Sequence, residues 1–162
     1  MNTKKQHGVG MIEVLVASLI MSIGFLGLAS LQITGLRFNM GANYRTHAAG
    51  LVDDMVDRIN ANAGAKLAGS YNSLNSSTIT GTVPACISTS AGCNSASLAT
   101  YDMLTWCVNF SDCTASTPVS VLPASSATVT RNNATGIFTV TVSWTEAADN
   151  NSNVKSVSVN FL

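Results

Sequence analysis

Residues 4–32 read KKQHGVGMIEVLVASLIMSIGFLGLASLQ: two lysines and a short polar lead, then an apolar run that carries a single carboxylate, Glu13, near its start. From Val14 to Leu36 no residue is charged. As a helix, residues 14–36 would reach about 35 Å, enough to cross the roughly 30 Å of bilayer hydrocarbon. Ser18 and Ser22 make a small-xxx-small pair, with Gly24 and Gly27 on adjoining turns, a composition suited to close helix packing in lipid. One reading of the segment is an anchor helix. Another is a secretory signal peptide, with Lys4 and Lys5 as its charged region and Gly27-Leu28-Ala29 as the cleavage site. The apolar run continues past that site through Leu31, Ile33 and Leu36, which weighs against cleavage there. Neither reading accounts for Glu13, unless it simply rests at the membrane interface. A charge inside a spanning helix costs about 2.5–3.5 kcal/mol at the centre and less near an end, so it calls for a partner.

The chain has 162 residues, room for one domain and an accessory element. Eight basic residues balance eight acidic ones, which offers no basic field and argues against nucleic acid as a partner. Residues 60–162 are rich in Asn, Ser, Thr and Ala. All four cysteines, Cys86, Cys93, Cys107 and Cys113, fall in this polar part, as expected of an oxidising periplasmic or extracellular compartment. Four cysteines allow three connectivities; the local pairs Cys86 with Cys93 and Cys107 with Cys113 would each close a small surface loop. A zinc site is disfavoured because there is no CxxC and the two histidines, His7 and His47, lie far from the cysteines. No metal, cofactor or catalytic constellation is expected, and the cysteines read as structural.

Past the apolar run, Ala48, Leu51 or Val52, Met55, Ile59 and Ala63 recur at helical spacing, while Asp53, Asp54, Asp57 and Arg58 face elsewhere as a solvated surface. With no proline in residues 9–83, this helix is expected to continue from the apolar one, with Gly35 and Gly41 as sites for bends. Residues 64–95 read as a long loop. Ser97 is a candidate cap for a short helix through Trp106. After Pro118 the period becomes two: Phe138, Val140, Val142 and Trp144 share one face, and Val157, Val159 and Phe161 repeat it after a turn at residues 149–153. With Val119–Leu122 and Ala127–Arg131 as further strands, the expectation is an α+β fold, an antiparallel sheet burying its apolar face on the helix.

The run Gly8-Val9-Gly10-Met11-Ile12-Glu13-Val14-Leu15-Val16-Ala17 resembles the class III signal of type IV pilins and pseudopilins. The resemblance implies a leader, residues 1–8, cut by a prepilin peptidase between Gly8 and Val9, and N-methylation of Val9. Gly10 stands where the family commonly has threonine. Glu13 would be fifth in the mature chain and would meet the N-terminal ammonium of a neighbouring subunit during assembly. That pairing supplies the opposite charge an apolar setting demands. The later stretches MVDRINAN (residues 55–62), Cys86 and Cys93 followed by Leu98-Ala99-Thr100-Tyr101-Asp102 and Trp106, Leu122-Pro123 and Thr141-Val142-Ser143-Trp144 resemble the PilV family of minor pilins, the type IV pilus modification proteins. The chain departs from that family's Leu-Pro-Gly-Gly turn at Ala124-Ser125, and its second cysteine pair is an addition.

What the resemblance implies is a pilin-like organisation: leader 1–8, transmembrane and assembly helix 9–36, amphipathic helix 37–63 and a periplasmic or extracellular domain 64–162. It implies a minor pilin that helps start type IV pilus assembly and lies at or near the tip, serving twitching motility. The expected placement is the inner membrane, crossed once with the N-terminus cytoplasmic, and later the pilus at the cell surface. Expected partners are the prepilin peptidase, other minor pilins, the major pilin and the inner membrane, with a tip adhesin as a further candidate. The alternatives are a minor pseudopilin of a type II secretion system and a membrane-anchored binding or adhesin domain.

Overall fold

A single helix, α1 (Met11–Ala61), occupies the first third of the chain, and the elements after it are α2 (Ala63–Ala68), β1 (Ser73–Asn75), α3 (Ser95–Cys107), β2 (Ser126–Arg131), β3 (Phe138–Ala148) and β4 (Asn151–Phe161). The structure, a computed structural model, describes residues 10–148 and 151–162. Two compact units divide at Met40, the second being Gly41–Leu162.

Within the second unit, the turns of α1 from Ala48 onward bury Ala48, Val52, Met55 and Ile59. Each of the larger three contributes about 1.5–3 kcal/mol by leaving water. Leu51 is only half-buried, its neighbour Val52 taking the core position. The expected next member of this stripe, Ala63, is exposed instead, because the helix breaks at Asn62 and α2 starts a new phase that buries Ala65. Asn62 leaves helical geometry (φ −103°, ψ 64°) and its side-chain oxygen accepts from Ala65 N–H at 3.3 Å. Gly69 closes α2 at φ +81°, a left-handed conformation that glycine adopts without penalty.

The sheet is antiparallel throughout in the order β1-β2-β3-β4. Leu74, Val129, Val140 and Val159 stand in register across all four strands. With Val142, Phe138 and Trp144 they form the apolar face that meets Ala48, Val52, Met55 and Ile59 in one core. The period-two expectation therefore holds for β3 and β4, and the fold is the α+β arrangement of a long N-terminal helix with a four-stranded antiparallel sheet. Helix α3 completes the core: Trp106 is fully buried, its indole N–H donates to Leu51 O at 2.9 Å, and its ring meets Phe110 edge-on at 4.7 Å.

Several local expectations change. Residues 64–95 are not one loop; they hold α2, β1 and two 3-10 turns, Ser76–Thr78 and Ala85–Ser88. The cap of α3 is Asn94, whose side chain accepts from Ser97 N–H at 2.8 Å, so the hydrogen bond runs to Ser97 rather than from it. Val119–Leu122 is not a strand: Ser120 Oγ donates to Leu122 O at 2.8 Å and contacts Ser125 Oγ at 2.8 Å, folding the segment back between Pro118 and Pro123. The ladder extends to Ala148 opposite Asn151, so Asn151–Asn153 belong to β4 rather than to a turn over residues 149–153, whose first two residues lie outside the described ones. Ala124, where the resembled turn carries glycine, sits at φ +44°.

Candidate functional site

The apolar half of α1 has a composition suited to lipid. Leu19, Phe25 and Leu31 are each more than half exposed. Three of the five polar side chains inside the run bond to their own helix: Ser18 Oγ donates to Leu15 O at 2.9 Å, Ser22 Oγ to Leu19 O at 2.7 Å and Thr34 Oγ1 to Ser30 O at 3.0 Å. Such back-bonding satisfies hydroxyls that lipid cannot. A side chain placed at Gly24 or Gly27 would meet nothing within 4 Å among the described residues, so both glycines leave shallow notches in the helix surface. By length and composition this helix can cross a membrane.

Glu13 lies in the first turn of α1, where its backbone N–H donates to Gly10 O at 2.9 Å. A carboxylate is favoured there by the unpaired N–H groups of the helix start. Its side chain is exposed, and no bond reaches the carboxylate among the described residues. Gly8 and Val9, the expected cut, and His7 lie outside the described residues. His47 is exposed on α1.

In the second unit the cysteines are bonded as Cys86–Cys93 and Cys107–Cys113. The two bridges differ in setting. Cys107 is fully buried and, with Cys113, Ile79 and Leu104, forms a second small core beyond the main one. Cys86 and Cys93 are half-buried and clamp the exposed segment around Ile87.

The charges on α1 are not a uniform solvated face. Asp53 and Asp57 are exposed, but Arg58 is half-buried and ties two elements together. Its Nε donates to both Asp54 oxygens at 3.0 and 2.9 Å, and its Nη1 reaches Asp102 on α3 at 3.3 Å and Thr105 Oγ1 at 2.9 Å. The other Asp102 oxygen accepts from the fully buried Tyr71 hydroxyl at 2.6 Å. Asn62 Nδ2 in turn donates to Tyr71 Oη at 3.1 Å and to Ser95 O at 2.8 Å. Burial, and after it the bond to Asp102, raise the Tyr71 pKa above its ordinary value of 10.0. This network joins α1, α3 and the segment between them, and it was hidden in the sequence because Arg58 and Asp102 are 44 residues apart. A second carboxylate, Glu146 at the end of β3, accepts from Trp144 Nε1 at 3.1 Å and stands 3.9 Å from Arg45 on α1.

Compared with known proteins, residues 3–29 match the prokaryotic N-terminal methylation motif, and residues 30–104 match the family described as Type IV pilin Tt1218. No curated protein and no solved structure matches. The first match covers the basic lead, Glu13 and most of the apolar run, and the second begins where the first ends and carries through α1 into α3. Together they support a type IV pilin, and with it a component of a pilus or pseudopilus.

Proposed function

We propose that the chain is a minor pilin of the PilV type, cut between Gly8 and Val9, methylated on Val9, and assembled through Glu13 near the pilus tip to start filament formation. The observation that carries this reading is Glu13 itself: one carboxylate in the first turn of a lipid-length helix, with no partner in its own chain among the described residues. A mature N-terminal ammonium on a neighbouring subunit is the group that would offset it, since an α-amino group is cationic at neutral pH. In this reading the helix leaves the inner membrane for a bundle of subunit helices, Glu13 selects the register, and the disulfide-stapled domain lies on the periplasmic and then the outer side. The role is structural, and the partners are the prepilin peptidase, the major pilin and the other minor pilins.

Mass spectrometry of the protein isolated from membranes tests the reading. The expected terminus is N-methyl-Val9; an intact Met1, or a start at Ser30, would refute it. Co-purification then separates two assemblies: recovery with secretion-system components instead of pilus subunits would move the chain to a type II secretion pseudopilus.

A further inference from the structure

The sheet ends on a long open edge. β4 runs Asn151–Phe161, 11 residues, and among the described residues pairs with β3 alone. The parity of the ladder fixes which of its backbone groups are left over. Arg131 N–H donates to Asn72 O, Asn132 N–H to Ile137 O and Thr145 N–H to Pro123 O. These bonds turn the odd-numbered residues of β3 toward β2 and leave Val140, Val142 and Trp144 to pair with Val159, Val157 and Lys155 of β4. The N–H and C=O groups of Val154, Ser156, Ser158 and Asn160 therefore point away from the sheet, and no hydrogen bond reaches them among the described residues. Edges of this length are ordinarily blunted by proline, a bulge or several charges. Between Asn153 and Leu162 there is no proline, the ladder to β3 is unbroken, and Lys155 is the only charge.

We propose that this edge is an interface, and that its occupant is β4 of a second copy of the chain, the two strands running antiparallel about Val157 to make a continuous eight-stranded sheet. Three observations select a second copy in this arrangement. First, length: the other open edge, β1, has three residues, and Asn75 O there already accepts from Thr78 Oγ1 at 3.1 Å, so it cannot match β4. Second, charge: centring on Val157 sets Lys155 opposite Val159 of the second copy, so the one cation on the edge never faces itself. Third, burial: Val157, Val159 and Phe161 pack on the core yet remain half-buried at the margin of the sheet, and the same row of the second copy would cover what is left. In this register Ser156 faces Ser158 and Val154 faces Asn160 on the polar side, pairings without steric or electrostatic conflict. A two-fold pairing of one surface with itself closes after two copies and does not propagate. The pairing uses the outward backbone groups of β4 and does not depend on the role proposed for Glu13.

The test is the mass of the full-length chain in mild detergent at micromolar concentration, by native mass spectrometry or light scattering. Wild type is expected as two chains. Ser156→Pro/Ser158→Pro removes two outward N–H groups while keeping every bond to β3, and is expected as one chain, with dissociation constants weakened at least about tenfold. Should the prolines unfold the strand, Ser156→Asp/Ser158→Asp keeps the backbone and sets carboxylates directly opposite one another across the interface, with the same single-chain outcome expected. A wild type that stays single overturns the proposal, as does pairing only with a different protein. Two-chain particles that survive in either folded variant overturn it too, since the apolar helix or another face would then hold them.

Discussion

Removing the Asp102 carboxylate tests whether the polar network fastens α3 to α1. In Asp102→Ala the fully buried Tyr71 hydroxyl loses the acceptor it holds at 2.6 Å, and a stranded buried donor costs about 1–3 kcal/mol. Arg58 fares better. Breaking a fully buried ion pair costs about 3–5 kcal/mol, but this guanidinium is 28% exposed and keeps Asp54 and Thr105, so its share falls to the roughly 0.5–1 kcal/mol of a surface pair. Alanine at an α3 position returns about 0.5 kcal/mol of helix propensity. The expected net loss is about 2 kcal/mol, which for a domain of this size lowers the melting temperature by about 8 °C. The assay is thermal and urea denaturation of the oxidised full-length protein in detergent, followed by near-ultraviolet circular dichroism of the buried Trp106 and Trp144. A double-mutant cycle with Tyr71→Phe should show about 1 kcal/mol of coupling, because each substitution removes the same bond. A loss below about 0.5 kcal/mol, or additive single and double mutants, would refute the view that this network couples the helices.

The same tyrosine predicts an alkaline signature. With its folded pKa above the unfolded 10.0, its contribution is whole below pH 10 and is lost as pH rises through the folded value, so wild type should lose stability above pH 10 more steeply than Tyr71→Phe in pH-dependent urea titrations. The bridges span 7 and 6 residues and by loop entropy are worth about 2 kcal/mol each, yet Cys107→Ser/Cys113→Ser should cost about 1–3 kcal/mol more than Cys86→Ser/Cys93→Ser, because it places two hydroxyls in the second core and only the one at 107 has an acceptor beside it, Ser76 O at 3.3 Å from the present sulfur; equal losses in urea would count against that. Ala124→Gly should gain about 0.5 kcal/mol, relief of a left-handed residue worth about 1–2 kcal/mol less the extra freedom glycine has when unfolded, and a loss in thermal denaturation would refute it. Glu13→Ala should reach the membrane at wild-type levels but be depleted from sheared pili and from complexes with other minor pilins; full recovery in both fractions would show that the carboxylate selects no partner.

What could be read from the sequence was whatever repeats at a fixed period. Ala48, Val52, Met55 and Ile59, and then Phe138, Val140, Val142 and Trp144, announce their faces because burial enforces spacings of three to four and of two. The basic lead, Glu13 and the uncharged run are likewise contiguous, so the helix that carries the candidate site was legible. Contacts between distant residues were not. Arg58 looks like any surface charge until Asp102 arrives beside it, and Ser73–Asn75 becomes a strand only because Thr128–Thr130 lie alongside. Local chemistry misled at the margins. The apolar residues of Val119–Leu122 suggest a strand, but the Ser120 hydroxyl offers the backbone a nearer partner, and Asn62 ends α1 one residue before the stripe would have reached Ala63.

The back-bonded hydroxyls of Ser18, Ser22 and Thr34 bear on how readily α1 could change surroundings. Because each keeps its hydrogen bond within its own helix, passing from lipid tails to the side chains of other helices would exchange one hydrocarbon-like medium for another with no bond broken at these positions. The toll for such a passage then falls on the polar groups without such a bond, the Ser30 hydroxyl, the Gln32 amide and above all the Glu13 carboxylate. A helix built this way has a nearly flat transfer profile with one sharp step, and the height of that step would depend on whether a cation meets Glu13.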